Sequence, residues 1–186
     1  MPTITPSTAV DYPFTAETER LVLRPLQAGD ALAIMEFMAD PIATEFFPMY
    51  EPSEAAKNTK DMLDRQLERY DIGLYGLHAL VEKNSGQFVG YCGLLIQEID
   101  GTSELEIGYS LLRKYWGKGY ATEAAVFFRK YAFKHRLARS IISLIHHENL
   151  PSQAVAIRNG MEPSGTSTWR DIPVVVYRIN TPNFDL

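Results

Sequence analysis

Tyr115-Trp116-Gly117-Lys118-Gly119-Tyr120-Ala121-Thr122-Glu123-Ala124 joins a β-rich segment to the best amphipathic pattern in the chain. After it, Ala121, Ala124, Ala125, Phe128, Tyr131 and Ala132 recur at helical spacing and form one stripe. Before it, Leu105 to Leu111 has strand composition, with Leu105, Ile107 and Tyr109 on one face and Glu104 and Glu106 on the other. Two glycines at such a junction let the backbone turn tightly and approach a ligand without Cβ obstruction. The amides at the helix start and the positive end of its dipole then make a site for an anion such as a pyrophosphate, with Lys118 adding a charge. Arg129, Lys130, Lys134, His135 and Arg136 suit the dipole's negative end. Spacing alone is equally compatible with a tight strand-to-helix connection that binds nothing. A P-loop is excluded because no Gly-Lys-Ser/Thr ending follows, and a dinucleotide fingerprint because its third glycine is missing.

Outward from this junction the period changes twice. Arg20-Leu21-Val22-Leu23-Arg24-Pro25-Leu26 reads as a half-buried strand, and Asp30 as the cap of a short helix running to Met38. Past an aromatic loop (Phe46, Phe47, Pro48, Tyr50), Ser53 is placed to cap a helix whose face carries Ala56, Thr59, Met62, Leu63, Leu67 and Tyr70. Tyr75 to Val81, Phe88 to Ile96 and Leu105 to Leu111 predict an antiparallel meander, the first two strands joined at Lys83-Asn84-Ser85-Gly86. Arg139 to Ile145 reads as a buried strand parallel to its predecessor, followed by a helix from about Leu150 to Asn159 and strands near Gly165 to Trp169 and Val174 to Ile179. The expected class is a mixed α/β fold.

With 186 residues, 46% of them hydrophobic and 11% aromatic, the chain is long enough for one substantial core and short for two. Residues 1–16, rich in Pro, Thr and Ser, read as a loosely held arm, and residues 17–186 as a single domain. The net charge of −5 argues against general nucleic-acid binding, which needs a concentrated basic surface. It mildly favours cationic small-molecule partners. No secretory leader and no apolar run of transmembrane length is apparent, so a cytoplasmic protein with no membrane partner is expected. The one cysteine, Cys92, lies in an apolar run and reads as a buried structural thiol.

Glu106-Ile107-Gly108-Tyr109 followed by Tyr115 to Ala124 resembles the acetyl-CoA motif of the GNAT superfamily of N-acetyltransferases, and its ribosomal-protein N-terminal (alanine) branch in particular. The likeness extends from Thr18-Glu19-Arg20-Leu21-Val22-Leu23-Arg24, through Gly86 to Gly93, to Asn149-Leu150-Pro151-Ser152 and Asn159-Gly160-Met161. It implies a mostly antiparallel central sheet of about seven strands flanked by about four helices, with a splayed parallel strand pair at the cofactor. It also implies acetyl-CoA as cosubstrate and a primary amine, on a protein N-terminus or a small molecule, as acceptor. The family pattern Arg/Gln-x-x-Gly-x-Gly/Ala falls on Trp116, Gly119 and Ala121. Trp116 departs from it, so a side-chain donor is lost and the backbone carries more of the phosphate binding. Met161 stands where an aromatic residue is usual. By resemblance, Ile107, Tyr109, Trp116, Gly117, Lys118, Gly119, Tyr120, Ala121, Thr122, Asn149 and Ser152 are the cofactor-binding residues.

Three residues are candidates for the chemistry. An amine of pKa about 10 is mostly protonated at neutral pH and needs a base; Glu106 is favoured, although alternation leaves open whether its face meets solvent or a cleft. The resemblance puts the backbone N–H near Ile107 against the thioester carbonyl, and Ser152 or Tyr109 near the sulfur as proton donor. Asn149 with Pro151 also reads as an ordinary helix start. His146 and His147, adjacent on a strand, should face opposite ways, and no metal is expected. His78 reads as a core or rim histidine. The leading function is direct acetyl transfer in a ternary complex, by a monomer or homodimer; the alternative is a catalytically inactive CoA- or peptide-binding module of the same fold.

Overall fold

The structure is a computed structural model that describes residues 4–5 and 10–181. In chain order the strands are β1 (Ala16–Glu17), β2 (Leu21–Pro25), β3 (Leu77–Glu82), β4 (Phe88–Ile99), β5 (Thr102–Leu111), β6 (Ser140–His146), β7 (Glu162–Trp169) and β8 (Ile172–Asn180). The helices are α1 (Ala31–Met38), α2 (Ala55–Asp71), α3 (Tyr120–Lys134) and α4 (Leu150–Arg158). All strands join one 8-stranded sheet of order β1-β2-β3-β4-β5-β6-β8-β7, antiparallel throughout except at β5–β6. This is the mixed α/β class that the periodicity predicts, with the short edge strand β1 beyond the expected seven.

Strand alternation sends apolar residues to both faces. On one face α3 lays Tyr120, Ala124 and Phe128 against Leu80, Leu94, Leu105 and Ile107, and α4 adds Val155 and Ala156. On the other, α1 and α2 bring Ile34, Phe37, Met62 and Leu63 onto Leu77, Ala79 and Tyr91. Burial of these two layers is the main favourable contribution to folding. No described helix is long and apolar enough to cross a membrane.

Several local readings are corrected. β4 and β5 extend to Ile99 and start at Thr102 because Asp100-Gly101, both at positive φ (50° and 72°), makes the two-residue turn that a hairpin prefers. Asp30 stands at the start of α1, but its carboxylate turns back to take Arg24 and the Gln27 N–H instead of capping α1. Ser53 lies inside a short 3₁₀ turn, Pro52–Glu54, and α2 starts after it without a side-chain cap.

The described part of the N-terminal arm packs against the domain. Tyr12 is buried, packs edge-on against Phe14, Tyr75 and His78, and donates its hydroxyl to the Gly76 carbonyl. Thr5 bonds the backbone of Leu137 and accepts from the Tyr75 hydroxyl. Apolar rings in a Pro- and Thr-rich segment outweigh its lack of periodicity. His78 is fully buried there; Phe14 N–H donates to its Nε2, and its Nδ1 lies 3.4 Å from the Tyr12 hydroxyl. Residues 1–3, 6–9 and 182–186, parts of the expected arm and domain, lie outside the described residues.

Candidate active site

The glycine-bearing turn is built as a cradle. Gly117 and Gly119 have φ of 72° and 84°, conformations that cost a side-chain-bearing residue strain. A Cβ on Gly117 would meet nothing within 4 Å, so this side of the turn is open. Gly119 starts α3, and its carbonyl takes the Glu123 N–H, leaving the amides of Tyr120, Ala121 and Thr122 without a carbonyl one turn back. Arg20 secures the turn from outside: its Nη1 donates to the Lys118 carbonyl (2.8 Å) and its Nε to Glu123 (2.7 Å). The Lys118–Gly119 peptide is planar and trans, so holding its carbonyl toward Arg20 points the Gly119 N–H away from it. Glu123, which also accepts from Thr18 Oγ1 and Arg20 N, turns toward the residues just before β2, while the Glu82 carboxylate accepts from the Tyr120 hydroxyl beside the turn. Trp116 Nε1 donates to the Leu111 carbonyl (2.8 Å), so the indole braces the turn and its N–H is engaged there. Lys118 lies over the Tyr115 ring, 5.1 Å from its centre.

Sequence reasoning missed Arg20 and Arg158. Arg158, on α4, reaches Thr122 Oγ1 at 3.3 Å and brings a cation to the first turn of α3. Both contacts span long stretches of chain, and no local pattern signals them.

Beside this cradle the sheet opens. β5 and β6 pair only at Leu105–Ile141 and Glu106–Ile142, although both strands continue. Past that point side chains replace the ladder: Ser143 Oγ donates to the Ile107 carbonyl (2.8 Å), and the Leu144 N–H donates to Glu106 Oε1 (3.3 Å). The polar edge of β5 at Ile107 therefore faces β6, and strand alternation turns Tyr109 the same way, further into the gap.

Glu106 sits at the parting of the strands and is buried. Burial raises its carboxyl above the ordinary glutamate range, against the bonds from Gln97 Nε2 (2.7 Å) and Leu144 N–H and the more distant charge of Arg170. Gln97 is itself oriented by Trp169 Nε1 (3.2 Å). Glu104, on the same face of β5, meets a different fate: Arg178 grips both its oxygens at 2.8 and 3.1 Å. Of the two alternatives for this face, solvent or a cleft, neither glutamate meets solvent: Glu104 is buried in an ion pair and Glu106 lines the cavity.

The N-terminus of α4 closes the third side. Asn149 Oδ1 accepts from the Ser152 N–H (3.1 Å), the capping role, and its amide nitrogen has no hydrogen bond among the described residues. The Tyr109 hydroxyl donates to the Ser152 carbonyl (2.8 Å), and burial pushes that phenol well above its usual value. Ile107, Tyr109, Glu106, Asn149 and Ser152 all line one cavity of about 230 Å³, into which the gap between β5 and β6 opens. Gly117 to Thr122 do not line it and form a separate station.

Cys92 is fully buried and burial pushes its thiol up, so it is not poised as a nucleophile. His146 and His147 differ from the alternation reading: their rings lie side by side, 4.4 Å apart, because β6 ends at His146 and the chain turns. Their nitrogens and the Glu148 carboxylate come within 4.8 Å of one another, which removes the alternation argument against a metal at that corner. His146 also stacks on Phe46 and accepts the Glu148 N–H at Nδ1.

Over residues 20–162 the chain matches the family described as an acetyltransferase (GNAT) domain. It is 32% identical over 142 residues to the uncharacterized N-acetyltransferase p20 of Bacillus licheniformis, covering 74% of this chain and 76% of p20. Among solved structures, an acetyltransferase from Agrobacterium tumefaciens superposes with a TM-score of 0.77 at 28% identity, covering 92% of this chain and 96% of that one. Mycobacterium smegmatis RimJ in complex with CoA-disulfide shares the fold at 19% identity, with a TM-score of 0.75 and coverage of 98% and 93%.

Proposed function

This chain belongs to the GNAT acetyltransferase family, and from that premise we propose that it transfers acetyl from acetyl-CoA to a primary amine by direct attack, with both substrates bound. The observation that carries this reading is the buried Glu106 at the point where β5 and β6 part, facing the same cavity as Tyr109 and Ser152.

The cradle fits a pyrophosphate, since its amides are free of intrahelical partners and Gly117 leaves one side of the turn open. Residues 117–122 would hold the phosphates through the backbone, Lys118 would add charge, and Asn149 would offer its free amide nitrogen. The opened edge of β5 would take the pantetheine arm as a strand takes a neighbour. Acetyl-CoA supplies an activated thioester, whose C–S bond breaks as the C–N bond to the amine forms.

The protein's own residues handle the protons. Glu106 accepts the proton that the acceptor ammonium must lose before its lone pair is available. A raised pKa suits it to this task, because a base closer to neutrality holds the proton better. The N–H groups of the opened edge, near Ile107 and on to Tyr109, stabilise the developing oxyanion, an interaction of about 3 kcal/mol per donor in other acyl-transfer enzymes. Tyr109 or Ser152 returns a proton to the departing thiolate. No covalent enzyme intermediate and no metal is involved in this scheme.

Free-thiol release from acetyl-CoA, measured across peptides and small amines, tests the reading. Amine-dependent release that survives Cys92→Ala and is lost in Glu106→Gln is expected. Loss of turnover in a folded Cys92→Ala protein would overturn direct attack, and tight CoA binding without thiol release for any amine would mark a non-catalytic module.

A further inference from the structure

Arg65 and Arg69 on α2 and Arg170 in the β7–β8 turn line the same cavity as Glu106. Elsewhere Arg20, Arg24, Arg113 and Arg178 each hold a carboxylate within 2.8 Å. Among the described residues these three hold none: Arg69 Nε donates to the Tyr75 carbonyl, Arg170 lies over the Trp169 ring, and Arg65 has no partner. Arg65 and Arg69 are also four apart on one helix face, a like-charge spacing that slightly disfavours the helix by itself.

The cavity wall contains one carboxylate, that of Glu106, against three guanidinium groups. This is the reverse of the whole chain, where 23 acidic residues outnumber 18 basic ones. The three arginines do not belong to the phosphate station, because Gly117 to Thr122 are absent from the cavity wall and Arg158 serves that turn. They approach from α2 on one side and the β7–β8 turn on the other, facing the space left for the acceptor. Phe46, Tyr50 and Trp169 line the same space and supply apolar walls.

We propose that the acceptor is an amine that also carries an anionic group, held by Arg65, Arg69 and Arg170 while its amine meets Glu106. The inference rests on the acetyl-transfer reading and narrows it, departing from the cationic preference suggested by net charge. A planar guanidinium matches a carboxylate or phosphate with two parallel hydrogen bonds, and three of them in a half-enclosed cavity select for such a group. The influence of Arg170 on the Glu106 carboxyl puts the two within electrostatic reach, so a compact amino acid or a short peptide with a free carboxylate can span them.

The test is free-thiol release with matched acceptors: phenylalanine against phenylalaninamide, a tripeptide with a free against an amidated C-terminus, and phosphoethanolamine against ethanolamine. At least one anionic member should exceed its neutral partner about tenfold or more in kcat/KM, chiefly through KM. Which pair does so separates carboxylate from phosphate. Arg65→Gln and Arg170→Gln, both at exposed positions, should each shrink that ratio at least about threefold, and Arg170→Lys should restore part of it. Neutral partners turned over as well as the anionic ones in every pair, or a ratio that neither glutamine variant moves, would overturn the proposal while leaving acetyl transfer standing. No thiol release with any amine would overturn both.

Discussion

Glu106 and Glu104 are two residues apart on one strand face, yet only Glu106 lacks an arginine partner within hydrogen-bonding distance. Its chemistry follows from that difference. Replacing it with glutamine should lower kcat by about 100-fold or more, within the range for a lost general base, while CoA affinity stays nearly unchanged. Burial raises its carboxyl, so the base is competent only above that raised value. The rate should therefore rise with pH through an acid limb lying above the ordinary glutamate range, and kcat/KM profiles should lose that limb in Glu106→Gln. His78 acts in the opposite sense and on stability. Burial lowers it to about 3, below its unfolded value of about 6.5. Folding then favours the neutral ring, and stability present above pH about 6.5 is lost as pH falls toward 3, by up to about 1.4 kcal/mol per unit. Urea midpoints between pH 7 and 4.5 should show this slope, and His78→Gln should flatten it.

At the scale of elements, the start of α3 and the start of α4 do similar work with different means. α3 has no side-chain cap because its N-cap, Gly119, carries no side chain, and the first amides of the helix are left open. Gly119→Asp should reduce CoA affinity at least about tenfold by isothermal titration, since it adds a negative charge to the cradle and forces a side chain into φ of 84°. A Cβ there also meets Arg20 Nη2 at 3.3 Å, so the turn itself is disturbed. α4 is capped, and Asn149→Ala should cost about 1 kcal/mol of stability through the lost bond to Ser152 N–H, read in thermal or urea unfolding. If its amide nitrogen also serves CoA, the same variant weakens cofactor binding, which Asn149→Asp, retaining the cap, separates from helix stability.

For the whole molecule, the N-terminal segment matters more than its composition suggests. Tyr12 and Phe14 cover Tyr75, His78 and the face of α3 at Tyr131. Tyr12→Ala should destabilise the protein by about 3–5 kcal/mol, the usual cost of emptying a buried aromatic site, and lower the melting temperature accordingly. Circular dichroism melts of that variant and of a chain beginning at Ala16 should agree in direction, the truncation losing more.

Much of the fold was legible because its periods are strong. The apolar stripe of α3, the alternation along β3 to β5 and the turn glycines each depend on residues close in sequence, where side-chain direction follows from backbone geometry alone. The cradle was legible for the same reason, its two glycines and the helix start being contiguous. What alternation could establish about Glu104 and Glu106 was that they share a face. Their different fates were decided by tertiary structure: Arg178 comes from β8 and the divergence of β6 arises at one point of a parallel pair, and neither leaves a local trace. The grip of Arg20 on Glu123, 103 residues away, and the gathering of Arg65, Arg69 and Arg170 around one cavity are of the same kind. Sequence determined which segments are helix or strand and where a backbone anion site can form; three-dimensional packing alone determined which charges are cancelled and which are left to meet a substrate.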